Sequence, residues 1–430
     1  MKKIFIFWTL LFGCFLFPSF AAPPPAENTP LTLRACYELA LKRSETVAIQ
    51  KEEIEEAEAQ IFEATSEALG DVDFVMEKFH QANPAGGGDS SSIGRTFTDP
   101  ERLESRFTIS QPLFRGFRAL GALTGAGSLT KQQKEEWFRA KELLFLDVAN
   151  AFYGLLREKK DLRALQEIHV LIRHRIEELT EREQIGRSRS SEVVTATARM
   201  KALEAERAHT RGSLKVARHV LEFLTGIELG GRRLAEENLP QEPSREISDY
   251  LAAAELRSDV QAAKQSMKTA RQGIVVAQSE FWPELSLEHN RYQRREGVQA
   301  DIDWDLLFKL DVPLFRGGGT VGKVKEAVSR WKKEKLAYSL ALRQAEFEIK
   351  EAYQNWIASV AEDASLKEAV KSAADNFRLQ REEYKRNLVS NLDVITALEF
   401  LHQTRRDSNH AYYQMKENYW GLRVAAGEKI

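Results

Sequence analysis

The chain is poor in proline, in cysteine and in long apolar runs, and each shortage excludes something. With 12 prolines in 430 residues, helices can run much further than usual, because proline breaks a helix interior. Two cysteines, Cys14 and Cys36, cannot build a disulfide scaffold. Beyond the N-terminal segment no stretch approaches the ~18 uncharged apolar residues that a membrane-crossing helix needs. Charge of one sign is lacking too. Lys and Arg total 62 against 64 Asp and Glu, so nothing points to nucleic acid or to a strongly charged partner surface.

Catalytic signatures are also missing. There is no HExxH, no GxSxG and no phosphate-binding loop. The closest histidines of one helical stretch, His169 and His174, are five apart, where a helix face would need three or four. The sequence reads as a protein with no catalytic residues, no bound metal and no cofactor.

What is present begins at the N-terminus. Lys2 and Lys3 precede an apolar run, Ile4 to Phe17, and then "PSFAAPPPA". This pattern predicts a secretory signal over residues 1–21, cleaved after Ala21, and an exported chain with Cys36 as its one thiol. A lipid-modified Cys14 is the minor alternative, because "LFGC" resembles a lipobox.

The mature chain is a duplication. "QPLFRGFR" at Gln111 returns as "VPLFRGGG" at Val312, placing Pro112 on Pro313 (313 − 112 = 201) and Gly116 on Gly317. The same offset places Gly121 on Gly322, Phe152 on Tyr353, Val193 on Val394 and Gly226 on Gly427. Upstream, "SEALGDVDF" at Ser66 matches "SEFWPELSL" at Ser279 with an offset of 213 (279 − 66). The offset changes in the segments just before each PLFRG, where loops of unequal length are expected. Two units follow, residues 22–226 and 248–430, joined by a linker over 227–247 in which Pro240 and Pro243 break helix.

Each unit combines two periodicities. Val193, Ala196, Met200, Leu203, Thr210, Leu214, Ala217, Leu221 and Leu224 follow steps of three and four with one charged interruption, Arg207, the seam of a long coiled-coil helix. Proline-free stretches from about Gly116 to Gly186 and from Gly317 to Asn387 are rich in strong helix formers. At ~1.5 Å per residue each would span about 105 Å. In the second, Ile349, Ala352, Trp356, Leu366, Val370, Ala373 and Phe377 form one apolar stripe, broken by Ser359 and Asp363. A further stripe, Tyr353, Ile357, Val360 and Ala364, suits a helix with two neighbours.

Ahead of each PLFRG the period drops to two. Trp304, Leu306, Phe308, Leu310 and Val312 alternate with Asp305, Leu307, Lys309 and Asp311. Strands are predicted near 71–80, 104–112, 283–292 and 302–313, the first pair separated by a Gly/Ser-rich loop. Proline ends a strand and glycine loosens the turn into a helix. Pro112, Gly116, Pro313 and Gly317 therefore mark strand-to-helix junctions. Four strands cannot close a membrane barrel, whose open edges lipid does not tolerate. Three copies would supply twelve.

The signal segment, "LTLRACYELALKRSETV" at Leu31, the strand pairs, "QPLFRG", the long helices and "DVPLFRGGG" together resemble the TolC-like outer-membrane efflux channels, the outer membrane factors. The resemblance covers nearly the whole mature chain. It implies a mostly α fold with a small β part, an internally duplicated strand–strand–long-helix unit. Three chains would share a 12-stranded barrel in outer-membrane lipid above a coiled-coil tunnel in the periplasm. It also implies a passive exit duct for an efflux pump or type I secretion system, with a periplasmic adaptor and an inner-membrane transporter as partners. The runner-up is a soluble periplasmic coiled-coil scaffold or adaptor.

Under that resemblance the functional residues lie where the long helices reverse. Gly186 and Asn387 are the residue types that take a left-handed reversal most readily. Arg187 and Arg189 charge the first tip. Glu192 and Asp393 match acidic positions early in the returning helices, with helix N-terminus preference as the plain alternative. Tyr384 matches a tyrosine of the family's closing network. Thr396 stands where a second carboxylate is often found, and Val389 where some members carry a basic residue.

Overall fold

The computed structural model describes residues 30–80, 82, 101–240, 245–296 and 299–428. The predicted signal segment, Cys14 and the Gly/Ser-rich loop from Asn83 to Pro100 lie outside them. Within the described residues the first unit comprises α1 (Leu33–Arg43), α2 (Glu45–Leu69), β1 (Asp71–His80), β2 (Glu101–Arg115), α3 (Arg118–Gln184) and α4 (Ser190–Thr225). The second comprises α5 (Ile247–Ala252), α6 (Ser258–Gln278), β3 (Glu284–Arg294), β4 (Trp304–Asp311), α7 (Gly319–Lys385) and α8 (Asn391–Ala425).

The two offsets hold in three dimensions. The starts of α6 and β3 lie 213 residues beyond those of α2 and β1 (258 − 45, 284 − 71). The starts of α7 and α8 lie 201 beyond those of α3 and α4 (319 − 118, 391 − 190).

Helices α3 and α7 are unbroken at 67 residues each, about 100 Å of rod at ~1.5 Å per residue. In the strand-side half α3 packs between α2 and α6, and α7 packs on α6. In the far half α3 packs on α4 and α8, and α7 on α8.

The broken stripe of α7 is continuous in space. Ser359 and Asp363 are buried beside Trp356 and Ala373; the Ser359 hydroxyl donates to the Trp356 carbonyl at 2.8 Å, and Lys367 meets Asp363 at 2.6 Å. The second stripe is only partly covered, and Ile357 is exposed.

The belt midway along the rods carries the largest core. Leu31, Leu33, Cys36 and Ala40 pack against Phe145, Val148, Phe152 and Tyr153 of α3 and Trp420 of α8, and the Trp420 indole donates to the Tyr153 hydroxyl at 3.0 Å. The linker is part of this belt. Leu31 forms a parallel bridge with Leu234, and Leu229 is buried. Lys416 is 1 % exposed, yet its ammonium reaches Glu236 and the Glu237 carbonyl, each at 2.7 Å. A buried charge needs such pairing, because one left alone is strongly destabilising.

The four strands form one antiparallel sheet in the order β1-β2-β3-β4. Phe74 lies opposite Phe107, Val72 opposite Ile109, Leu287 opposite Phe308 and Leu285 opposite Leu310. One expectation fails at Pro112. It does not end its strand: β2 runs on to Arg115, with a register shift between Pro112 and Phe114. A bulge is where a ladder accommodates a residue without an N–H. Pro313, by contrast, follows the end of β4.

Gly116 and Phe117 both have positive φ, as do Gly317 and Gly318, so each strand-to-helix junction turns through two left-handed residues. Phe117 is held there by edge contacts to Phe114 and Trp282.

Candidate functional site

The far ends of the rods reverse by the same hydrogen bonds in both units. The Gly186 N–H donates to the Glu183 carbonyl at 2.9 Å and the Arg187 N–H to the Arg182 carbonyl at 2.7 Å. In the second unit Asn387 donates to Tyr384 and Leu388 to Glu383, both at 3.0 Å. Each reversal is a Schellman cap, which needs a left-handed residue. Gly186 (φ 72) and Asn387 (φ 58) supply it.

Beyond the turns the units diverge. Ser390 caps α8, and its hydroxyl and N–H both contact the Asp393 carboxylate, at 2.6 and 2.8 Å. The Ser390 hydroxyl, aided by that backbone N–H, holds the Asp393 carboxyl below the usual carboxylate range. Asp393 is thus a capping residue, exposed at the tip.

Glu192 is placed differently. It accepts from the Ser188 hydroxyl at 2.6 Å and from the Tyr384 hydroxyl at 3.5 Å. The structure therefore brings Tyr384 to Glu192, linking α7 to α4, and leaves Asp393 apart from that pair. Arg187 and Arg189 are exposed. Thr396 is exposed, and Val389 packs on the tip core of Leu179, Ala196, Tyr384, Val394 and Ile395.

One residue that sequence reasoning missed sits at the centre. Arg175 of α3 is buried; it donates through Nε to the Asn391 side chain at 3.0 Å and through Nη1 to Glu178 at 2.8 Å. Its guanidinium lies 3.9 Å from the centroid of the Tyr384 ring, with Arg182 at 4.8 Å. With Glu192 included, four helices meet here through polar contacts. Nothing in the sequence marks Arg175, since its counterpart by the repeat is Asn376.

The sheet at the opposite end has two unlike faces. Val72, Phe74, Met76, Phe107, Ile109, Trp304, Leu306, Phe308 and Leu310 share one face by register and are exposed. The other face carries a polar chain: Thr108 donates to Asn290 at 2.8 Å, Asn290 to Asp305 at 2.9 Å, and Tyr292 to Asp305 at 2.7 Å. A single apolar face on strands of 8 to 15 residues is what a lipid-facing barrel wall presents.

An open piece of barrel wall on paired helical rods defines a class: outer-membrane ducts that continue into the periplasm. The family model for outer membrane efflux proteins matches residues 36–227 and 250–428, and the chain belongs to that family. It is accordingly a protein of the outer membrane, with its helices in the periplasm.

Similar proteins include TolC of Vibrio cholerae, 22% identical over 340 residues, covering 76% of this chain and 77% of that protein. The alkaline protease secretion protein AprF of Pseudomonas aeruginosa is 21% identical over 340 residues, 76% of this chain and 70% of its own. Among solved structures, the outer membrane protein VceC from Vibrio cholerae superposes with a TM-score of 0.81 at 20% identity, covering 92% of this chain and 96% of that one. That likeness is one of fold.

Proposed function

We propose that three copies of the chain close a 12-stranded barrel and form the passive exit duct of a tripartite efflux pump or type I secretion system. The observation that carries this reading is the four-stranded sheet, apolar on one face and polar on the other, with β1 and β4 as edges. Lipid does not tolerate such edges. Copies that pool their sheets remove them.

In this reading the rods line a tunnel, and their reversals at Gly186, Arg187, Arg189 and Asn387 meet a periplasmic adaptor fed by an inner-membrane transporter. Tyr384 and Glu192 hold the tip closed; Asp393 fixes the start of α8 through its cap. The junctions at Pro112, Gly116, Pro313 and Gly317 turn barrel wall into tunnel wall.

The test is the mass and membrane fraction of protein extracted gently in detergent. A trimer from the outer membrane that conducts ions in a planar bilayer is expected. A monomer washed out with the soluble periplasm would overturn the reading and favour a scaffold.

A further inference from the structure

Along α8 from Asn391, at about 16 Å by the ~1.5 Å rise of a helix, lies an imidazole that the tip network does not use. His402 is 3% exposed, and its Nε2 has no hydrogen-bond partner among the described residues. It lines a cavity of about 20 Å³ walled by Ile168 and Ile172 of α3, Ala196 of α4 and Ile395 and Leu398 of its own helix. That is room for about one water. Arg175 lines the same cavity, so the buried imidazole and the central arginine of the tip share one enclosure.

The charges that face this site are already matched to one another. On α3, Asp161 accepts from Asn409 at 3.3 Å and meets the His410 ring at 2.8 Å. On α4, Glu206 pairs with Arg406, and Arg199 with Glu399 at 2.8 Å. Arg406 also approaches Asp161 at 3.6 Å. Each nearby carboxylate is thus engaged by another cation or donor. Burial pulls the His402 imidazole below its ordinary value of 6.5, and the attraction of Glu206 and Asp161 does not offset it.

The arrangement belongs to the second unit alone. The counterpart of His402 by the repeat is Lys201 of α4 (402 − 201), which is exposed and pairs with Glu204 at 2.9 Å. One returning helix buries an ionisable side chain at this level; the other leaves it in water.

We infer that His402 makes the closed tip acid-sensitive: on taking up a proton it drives α8 away from α3 and α4, and the tip opens. The inference rests on the closed tip proposed above. A charged imidazole in an apolar cavity is costly, and one water cannot replace its hydration shell. Separation of the three helices hydrates the ring. The same movement withdraws Asn391, on the same helix, from its 3.0 Å bond with Arg175.

The sign follows from the burial. The hydrated ring of the open tip titrates near its ordinary ~6.5, and the buried ring of the closed tip titrates lower. Closure is therefore fully favoured above that ordinary value. As pH falls from there towards the lower one, the closed-to-open ratio drops by up to about tenfold per pH unit for each chain. The Asp393 carboxyl titrates below this window, so the two acid responses are separable.

Two measurements test this. Exchange of the imidazole C2 hydrogen, followed by mass spectrometry against pH in detergent-extracted protein, reads the titration of His402 itself. A midpoint below 6.5, with slower exchange than at the exposed His174, is expected. A midpoint at or above that value would overturn the inference, whatever the number of copies.

Single-channel recording between pH 8 and about 5 then compares the parent with His402→Leu and His402→Gln, with trimer dissociation at pH 8 as the control for folding. The parent should open increasingly as pH falls, and both variants should lose that response. Variants that keep it, or a parent whose opening ignores pH, would overturn the inference and leave the duct standing. A parent that forms no channel would remove the duct and the acid-sensitive tip together.

Discussion

Replacing Arg175 should open the tip far more than removing the Tyr384 hydroxyl, although only the tyrosine was legible in the sequence. The Tyr384–Glu192 contact is 3.5 Å long, at the edge of hydrogen-bonding distance, so Tyr384→Phe forfeits at most about 0.5 kcal/mol per chain. If three tips open together the sum is about 1.5 kcal/mol, roughly tenfold in the open-to-closed ratio.

Arg175 makes a charge-assisted bond to Asn391 at 3.0 Å and lies over the Tyr384 ring. Such a bond contributes about 1.5–3 kcal/mol and the stacking about 0.5–2. Its Nη2 has no partner among the described residues, which favours the low ends, about 2 kcal/mol per chain. Three chains give about 6 kcal/mol, or about 10⁴-fold.

The assay is single-channel recording in planar bilayers at fixed salt, comparing Arg175→Met and Tyr384→Phe with the parent. Thermal dissociation of the trimer serves as a control for folding. Arg175→Met channels that stay as closed as the parent, or Tyr384→Phe channels that open equally far, would refute the reasoning.

Further outcomes are expected elsewhere in the molecule. Trp356→Ala removes a fully buried indole from the core shared by α5, α7 and α8 and should destabilise the fold by about 3–5 kcal/mol, read as lowered thermal stability. Phe308→Arg, on the apolar face, should impair insertion into lipid vesicles by about 2–4 kcal/mol, whereas Leu307→Arg, on the polar face, should insert normally. The Asp393 pKa is lowered in the folded state, so its contribution is present above the unfolded carboxylate range and is lost as pH falls through the folded value. The protection of amides in the first turn of α8, measured as exchange relative to the unstructured rate at each pH, should therefore fall on acidification, and Asp393→Asn should abolish that pH response. Burial pushes the Cys36 thiol up to about 12, so alkylation at pH 8 should await unfolding.

How much could be read in advance varies along the chain. Strands were legible because a half-buried sheet has a period of two; β1 begins and ends at the predicted residues, while β2 overran Pro112 because a bulge absorbed it. The heptad of α4 was legible from Ala196 to Leu221, and both of those residues are buried. Ser359 and Asp363 read as breaks because polar residues usually face water; in space both are buried, Ser359 bonded to the Trp356 carbonyl and one Asp363 oxygen paired with Lys367. The tip turns were visible from Gly186 and Asn387, whose residue types are tied to a backbone angle. Arg175 was not, because its partners Asn391 and Tyr384 lie about two hundred residues away and no local period connects them. For the same reason the pairing of Lys416 with the linker was invisible.

The sheet's first and last strands also bear on how the protein is made. A single copy newly arrived in the periplasm carries two unsatisfied rows of N–H and C=O groups beside an oily face, the surface on which strands of unrelated chains stack into aggregates. Waiting alone is the dangerous stage of its life. In the three-copy ring proposed above, meeting two siblings is the escape, and meetings become more frequent as chains become more abundant. Slow, sparse export should therefore waste more protein than a brisk burst, an order opposite to that of proteins whose folding needs no company.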